Sequence, residues 1–349
     1  MSKAIANKLS AQLDPSKYKL YLITSRPFYT HLVAGLRTVV TEEGSLEDRI
    51  FIPYDKNFVN GNGELVVDTV VSIEESQEGG AVVLQSGRRI EYSILVLTPG
   101  SIWEGPLAFP DTKAEVLDWV TDWRKKFAEA QDIVLVGGGA VGIELAGEIK
   151  DQWPNKPVTI VHGQEFLLNG TYPEKWRKDV GRRVQKRGIK AILNDYVDNL
   201  SPGVIQTRNG QNITADLVVA TKGGKPNTAF VASLGEDVLT PDGRVKVNTN
   251  LQVVNHPRIY AAGDVTDWKE QKQIGKYAAH ADTVSKNIVQ QLAGKQPGIV
   301  YKGSPEMILV TIGKSGGSGY LGWVTLGDKL SSMLKAKELF VSKARKSLG

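Results

Sequence analysis

The 349-residue chain contains no cysteine. Disulfides, thiolate zinc sites, iron–sulfur clusters and any redox-active pair of thiols are therefore excluded. Histidine is scarce, and His31, His162, His256 and His280 lie far apart with no metal-ligand spacing, so no metal site is expected. No apolar run reaches the 18 residues that a membrane-spanning helix needs. No basic segment followed by an apolar one opens the chain, which predicts a cytoplasmic protein rather than a secreted one. The two glycosylation sequons, at Asn169 and Asn212, are accidental on that reading. One end is short of acid. From Lys329 to Lys346 the cations Lys329, Lys335, Lys337, Lys343, Arg345 and Lys346 meet only Glu338, and the whole chain carries +5. Such a segment is either the solvated face of a packed helix pair or a surface drawn to anionic lipid. No aromatic–basic stacking pattern accompanies it, so no specific nucleic-acid partner is expected.

What is present is a nucleotide signature. Residues 133–148 read IVLVGGGAVGIELAGE. An apolar strand pattern runs into Gly137, Gly138 and Gly139, then Ala140, Val141 and Gly142 open a helix. This is G-x-G-x-x-G in the context it requires. The first glycine makes the tight turn, the second admits a pyrophosphate to the backbone, and the third lets helix and strand pack closely. The helix start adds N–H groups and a partial positive charge. The next strand, residues 157–163, ends near His162-Gly163-Gln164. No carboxylate stands at that point to reject a 2′-phosphate, so NADPH is acceptable beside NADH. Glu144 and Glu148 lie four apart on the helix. They read either as solvated helix residues or, for Glu144, as a group facing the nicotinamide.

About 130 residues precede this motif. Helical periodicity covers residues 4–13, and strands are expected at 17–24, 64–74, 81–85 and 90–98, with a linker at 106–111. Val116, Val120, Trp123 and Phe127 share one helical face. Further strands are expected near 191–193 and at 212–221, with helices at 174–187 and 276–292. A strand at 253–262 ends in Gly263-Asp264. An aspartate there either caps the following turn or holds the ribityl and pyrophosphate part of a flavin.

The order of Leu97-Thr98-Pro99-Gly100-Ser101, the glycine fingerprint, Ala220-Thr221-Lys222-Gly223 and Gly263-Asp264 is that of a protein with two dinucleotide domains. Residues 28–40, 95–101, 133–150, 158–164, 259–265, 276–289 and 337–346 carry the likeness. On them the chain resembles the pyridine nucleotide–disulfide oxidoreductase superfamily, within it the apoptosis-inducing-factor-like group that includes ferroptosis suppressor protein. The resemblance implies an α/β fold of two Rossmann-like domains, the second inserted into the first. An FAD domain would span residues 1–105 and 236–297, an NAD(P)H domain 106–235, and a small α+β segment 298–349. It implies FAD held by Asp264, Gly263, Gly100 and Arg37, with Lys272 near the flavin ring as the candidate catalytic group. Lys272 reads equally as one of several solvated lysines. It places NAD(P)H at the fingerprint, Glu144, His162 and Gly223. The implied activity passes hydride from NAD(P)H through flavin to a small-molecule acceptor such as a lipid quinone. By the same resemblance the chain would sit peripherally on a membrane, the mitochondrial outer membrane or a lipid droplet.

The departures are as informative. The family's opening strand and its glycines have no counterpart, and the first glycine of the chain is Gly35. About ten to fifteen residues of that unit are wanting by the usual strand-plus-turn length. Thr24-Ser25-Arg26 replaces the acid expected after the second strand, and Pro99 replaces a threonine. A shortened, flavin-free nucleotide-binding protein is the alternative these losses raise. Gly313-Lys314-Ser315 lacks the leading glycine of an ATP-binding loop, Ile308 standing in its place. No nucleophile elbow supports hydrolysis. The oligomeric state is not written in the sequence.

Overall fold

The computed structural model describes residues 1–54, 57–59 and 61–348. The fold is α/β. Its clearest part is a four-stranded parallel sheet in the order Ile189–Leu193, Val158–His162, Ile133–Val136, Leu217–Ala220. The central strand is apolar at every position because both of its faces are covered. Ile133 and Leu135 enter one hydrophobic cluster, and Val134 and Val136 enter another on the opposite face. The first cluster takes in Val116, Val120, Trp123 and Phe127 of the helix Lys113–Glu129, as their spacing predicts. That helix is capped by Thr112, whose Oγ1 accepts the Glu115 N–H and donates to the Glu115 carboxylate.

A second parallel arrangement is divided. Leu20–Thr24 pairs with Gly63–Val67, while Leu95–Leu97 pairs with residues 259–261. Each of these two inner strands has one sheet neighbour, and among the described residues no strand joins them. In the complete sheet the corresponding place is filled by Ile133–Val136, which bonds Val158–His162 on one side and Leu217–Ala220 on the other. The helix Ser2–Ser10 packs on the helix Tyr277–Leu292 through Ile5, Leu9, Ala281, Val284 and Ile288.

Three long strands expected from the sequence are each two. Residues 64–74 divide at Asp68, whose carboxylate accepts the Thr69 N–H and the Ser86 hydroxyl. Residues 90–98 break into Arg89–Tyr92 and Leu95–Leu97. Residues 212–221 divide at Asp216, whose carboxylate takes the N–H groups of Gln131 and Asp132. Its first half forms a hairpin with Gly203–Gln206 and its second half joins the parallel sheet. The expected linker at 106–111 is packed, with Leu107 and Phe109 buried.

The C-terminal segment forms a three-stranded antiparallel sheet, Ile308–Thr311, Gly317–Tyr320 and Thr325–Leu326. The helix Asp328–Ser331, a π-helical turn Ser332–Ala336 and the helix Val341–Leu348 follow. This sheet rests on the fingerprint helix Ala140–Gln152 at Gly147, where a Cβ would lie 2.2 Å from the Gly313 nitrogen.

Candidate active site

A cleft of about 970 Å³ brings together the two glycine-bearing strand ends. One wall is the start of the fingerprint helix, with Gly139, Ala140, Val141 and Glu144 exposed to the cleft beside His162 and Gly223. The other wall carries Gly100, Gly263, Asp264 and Lys272. Ten of the residues expected at the site thus line one space.

The remaining glycines act beneath it. Gly137 has φ +128°, and a Cβ there would lie 2.8 Å from the Thr221 carbonyl. At Gly142 a Cβ would be 2.0 Å from the Gly137 carbonyl oxygen, and at Gly138 it would strike Leu167 and His162. Thr221 Oγ1 donates to that same Gly137 carbonyl at 2.8 Å. These contacts hold the turn closed and leave the helix N–H groups pointing outward. A Cβ on Gly139 meets nothing within 4 Å, so this position is open to a phosphate. The cradle fits a dinucleotide.

Two histidines do matching work in the two halves. His162 Nδ1 accepts the Gly138 N–H at 3.1 Å while Nε2 donates to the Leu168 carbonyl at 3.3 Å. His280 Nδ1 accepts the Gly263 N–H at 3.2 Å and Nε2 donates to Glu270 at 2.8 Å. Burial pushes both imidazoles below their ordinary pKa, more than the hydrogen bonds raise them. The neutral ring that results is the form with one accepting nitrogen. His162 therefore fixes the glycine turn with both ring nitrogens engaged while its ring lines the cleft.

Asp264 is held by side chains that the sequence reading overlooked. Ser101 Oγ donates to Asp264 Oδ2 at 2.8 Å and the Tyr277 hydroxyl to Oδ1 at 2.5 Å. Burial and then the Asp264 carboxylate drive the Tyr277 phenol far above its usual pKa, so it stays a donor. Lys272 Nζ donates to the Trp268 carbonyl at 2.7 Å and lines the cleft. Burial, with Arg244 nearby, lowers its ammonium to about 8. It is not a solvated lysine. These groups fit the ribityl and ring side of a flavin. Met1, Ser2 and Lys3 at the start of the first helix also line the cleft.

Two expectations are corrected. Arg37 does not reach the cleft. Its guanidinium makes a two-pronged pair with Glu148, both bonds at 2.8 Å, and donates to the Ala336 carbonyl at 2.7 Å. Two carboxylate oxygens of the fingerprint helix and the Ala336 and Lys337 carbonyls of the C-terminal segment converge here, and a planar cation with several donors answers them together. Glu144 and Glu148 are likewise not solvated. Glu144 accepts from Lys335 Nζ at 2.5 Å and from the Thr311 N–H at 3.2 Å. Both acids anchor the C-terminal segment to the fingerprint helix, and Glu144 still borders the cleft. Lys335 was legible only as one of a run of cations.

Two strand-end dinucleotide sites facing one cleft define a two-nucleotide flavoprotein architecture. The chain belongs to the pyridine nucleotide-disulphide oxidoreductase family, whose model matches residues 12–285. It is 45% identical over 317 residues to an FAD-dependent oxidoreductase of Flammulina velutipes, covering 89% of this chain and 99% of the relative. It is 32% identical to ferroptosis suppressor protein 1 of Taeniopygia guttata, over 94% and 89% of the two chains. The fold is shared with a sulfide:quinone oxidoreductase of Aquifex aeolicus, TM-score 0.72 and 20% identity over 99% and 87%. It is shared also with an engineered water-forming NADPH oxidase bound to NADPH, TM-score 0.67 and 17% identity over 91% and 72%. The expected cofactor pair, FAD with NAD(P)H, agrees with the pyridine-nucleotide family and with the FAD-dependent relative. A flavin-free role finds no support among them.

Proposed function

We propose that this chain is an FAD-dependent NAD(P)H oxidoreductase that delivers electrons to a quinone-like acceptor. The observation that carries the reading is the single cleft lined by both Gly139 and Asp264. Residues 106–235 act as the NAD(P)H unit, and residues 1–105 with 236–297 act as the flavin unit. The fingerprint turn would hold the NAD(P)H pyrophosphate, and Asp264, Gly100 and Lys272 the flavin side. FAD, when bound, supplies a carrier that takes two electrons from one substrate and yields them to another. Without cysteine the electrons cannot leave through a protein disulfide.

The chain's own groups set charge and access. Lys272 places a titratable cation at the cleft wall, where negative charge is favoured while it stays protonated. Its pKa of about 8 predicts that NAD(P)H oxidation falls as pH rises through 8, because the cation is lost. Lys272→Met should abolish that alkaline limb, read as a pH profile of kcat/KM. An unchanged limb would assign the ionisation elsewhere. The exposed side of the cleft is apolar, with Ile274, Met307, Leu321 and Phe340 along it, which suits a ring with a hydrocarbon substituent.

The test is a visible spectrum of the purified protein incubated with FAD. Retained flavin bands that NADH bleaches anaerobically, and that a short-chain quinone restores, are expected. Bands bleached but not restored by the quinone would remove the acceptor class. A colourless protein that still binds NADH would remove the flavoprotein reading.

A further inference from the structure

Residues 169–172 of the NAD(P)H unit and residues 271–273 of the flavin unit meet through side-chain amides. Gln271 Oε1 accepts from Asn169 Nδ2 at 2.8 Å, and Gln271 Nε2 donates to Thr171 Oγ1 at 2.8 Å. Gln273 Nε2 donates to the Tyr172 hydroxyl at 2.8 Å. These bonds join residues 100 to 102 positions apart, and Asn169, Tyr172, Gln271 and Gln273 all line the cleft. Both partners are held from behind. The Leu168 N–H donates to the Gly138 carbonyl at 2.8 Å, and Leu168 takes φ +66°, a conformation that costs a leucine energy and that these bonds impose. Tyr172, 3% exposed, packs edge-on against Trp176 and Tyr320. On the flavin side the Gln271 N–H donates to Glu306 Oε1 at 3.0 Å, and Lys276 Nζ donates to the same oxygen at 2.7 Å. Lys272 stands between the two glutamines with its ammonium on the Trp268 carbonyl.

The place of this contact gives it consequence. Its nucleotide-side loop rests on Gly138, next to the open Gly139, and its flavin-side segment carries Lys272. It therefore ties the two walls of the cleft to each other. Polar contacts between units of one chain permit relative motion unless hydrogen bonds fix them. The proposed reaction tolerates little motion. It breaks a C–H bond of the reduced nicotinamide and moves the hydrogen with both bonding electrons to the flavin, leaving NAD(P)⁺. Such reacting atoms must stand about 3–3.5 Å apart, and a displacement of about 1 Å costs about a hundredfold in rate. Neither glutamine belongs to the fingerprint turn or to the partners of Asp264, so what they supply is the spacing between the two.

We propose that Gln271 and Gln273 are positioning residues, which clasp the loop 167–172 to the segment carrying Lys272 and so fix the distance over which hydride leaves NAD(P)H. The transfer distance rests on the redox reading, whereas the clasp itself needs no cofactor. Gln271→Leu with Gln273→Leu keeps side-chain volume and removes both amides. Thr171→Val with Tyr172→Phe breaks the contact from the other side, again at nearly constant shape. The first readout is amide hydrogen exchange of the full chain without nucleotide. In either double variant residues 167–172 should exchange about tenfold faster, as loss of surface hydrogen bonds implies, while the amides of Ile133–Val136 keep the parent rate. The second is anaerobic mixing of the FAD-incubated protein with NADH. The limiting rate of flavin bleaching should fall by about tenfold to a hundredfold, with the NADH dissociation constant unchanged. Joining the two pairs of substitutions should add little to either alone, because both cut the same contact. Parent-like exchange of residues 167–172 would overturn the clasp. A weakened NADH constant with an unchanged limiting rate would overturn it as well, and make the glutamines nucleotide ligands. A parent protein that takes up no flavin would sink the redox reading and the transfer distance with it, and leave the clasp to stand or fall on exchange alone.

Discussion

Gly139→Val should leave the protein folded and lower its affinity for NAD(P)H by at least about a hundredfold, since the pyrophosphate needs close approach to this backbone. The two halves of that expectation come from one residue's surroundings. Gly139 precedes the fingerprint helix with φ −75° and ψ −173°, an extended conformation open to valine. Its Cβ would meet no protein atom within 4 Å, so nothing in the fold resists it. The added methyls would stand in front of the first N–H groups of the helix, where a phosphate must come. Stability should fall by only about 1 kcal/mol, for loss of a glycine cap. Gly142→Val is the contrasting case, because its Cβ would collide with the Gly137 carbonyl at 2.0 Å. That variant should fail to fold. Titration of NADH fluorescence, alongside a thermal melt, separates the two. Parent-like affinity in folded Gly139→Val would remove the nucleotide from this turn.

Arg37→Met should destabilise the protein by about 3–5 kcal/mol, since it strips the partner from a buried carboxylate. At this chain length that is a fall in Tm on the order of 10 °C. Arg37 and Glu148 are 5% and 3% exposed, and they pair in a two-pronged geometry. Burial pushes the Glu148 carboxyl above its usual pKa of 4.5, against the pull of Arg37. Without Arg37 the neutral acid is the form the folded protein tolerates. The deficit should therefore be full above the folded pKa of Glu148. It should shrink as pH falls toward 4.5, because the folded state then takes up the proton more readily than the unfolded one. Arg37→Met with Glu148→Leu should recover most of the loss. An arginine that contacted flavin would behave otherwise, with a changed FAD affinity and an unchanged Tm. Melting curves across pH for the three variants decide between these roles.

The contrast between these two residues marks what a sequence pattern carries. The fingerprint is local. A strand buried on both faces must be apolar throughout, a tight turn must be glycine, and these needs fall within 16 consecutive residues. The four-residue helical stripe ending at Phe127 is local in the same way. The Arg37–Glu148 pair spans 111 positions, and nothing near either residue announces the other. Resemblance assigned Arg37 to the cofactor, whereas tertiary packing assigns it to the C-terminal segment. The α+β character of residues 298–349 is expected, but the strands of the C-terminal sheet are hard to read for another reason. Its middle strand, Gly317–Tyr320, reads GSGY, which has the composition of a loop. Those glycines are required because neighbours press on the backbone. A Cβ on Gly317 would lie 2.6 Å from the Val310 carbonyl, and one on Gly319 would crowd Leu309 and Leu326. The strand breaks at Asp68 and Asp216 depend on which distant donors those carboxylates capture.

The divided sheet sets where the molecule breathes. Ile133–Val136 is locked by ladders on both sides, so exposing its amides requires two pairings to separate together. Among the described residues, Leu20–Thr24 and Leu95–Leu97 are each tied on one side only. Opening of the divided sheet should therefore sever fewer bonds and cost less free energy than opening of the four-stranded sheet, whose central-strand amides should exchange more slowly.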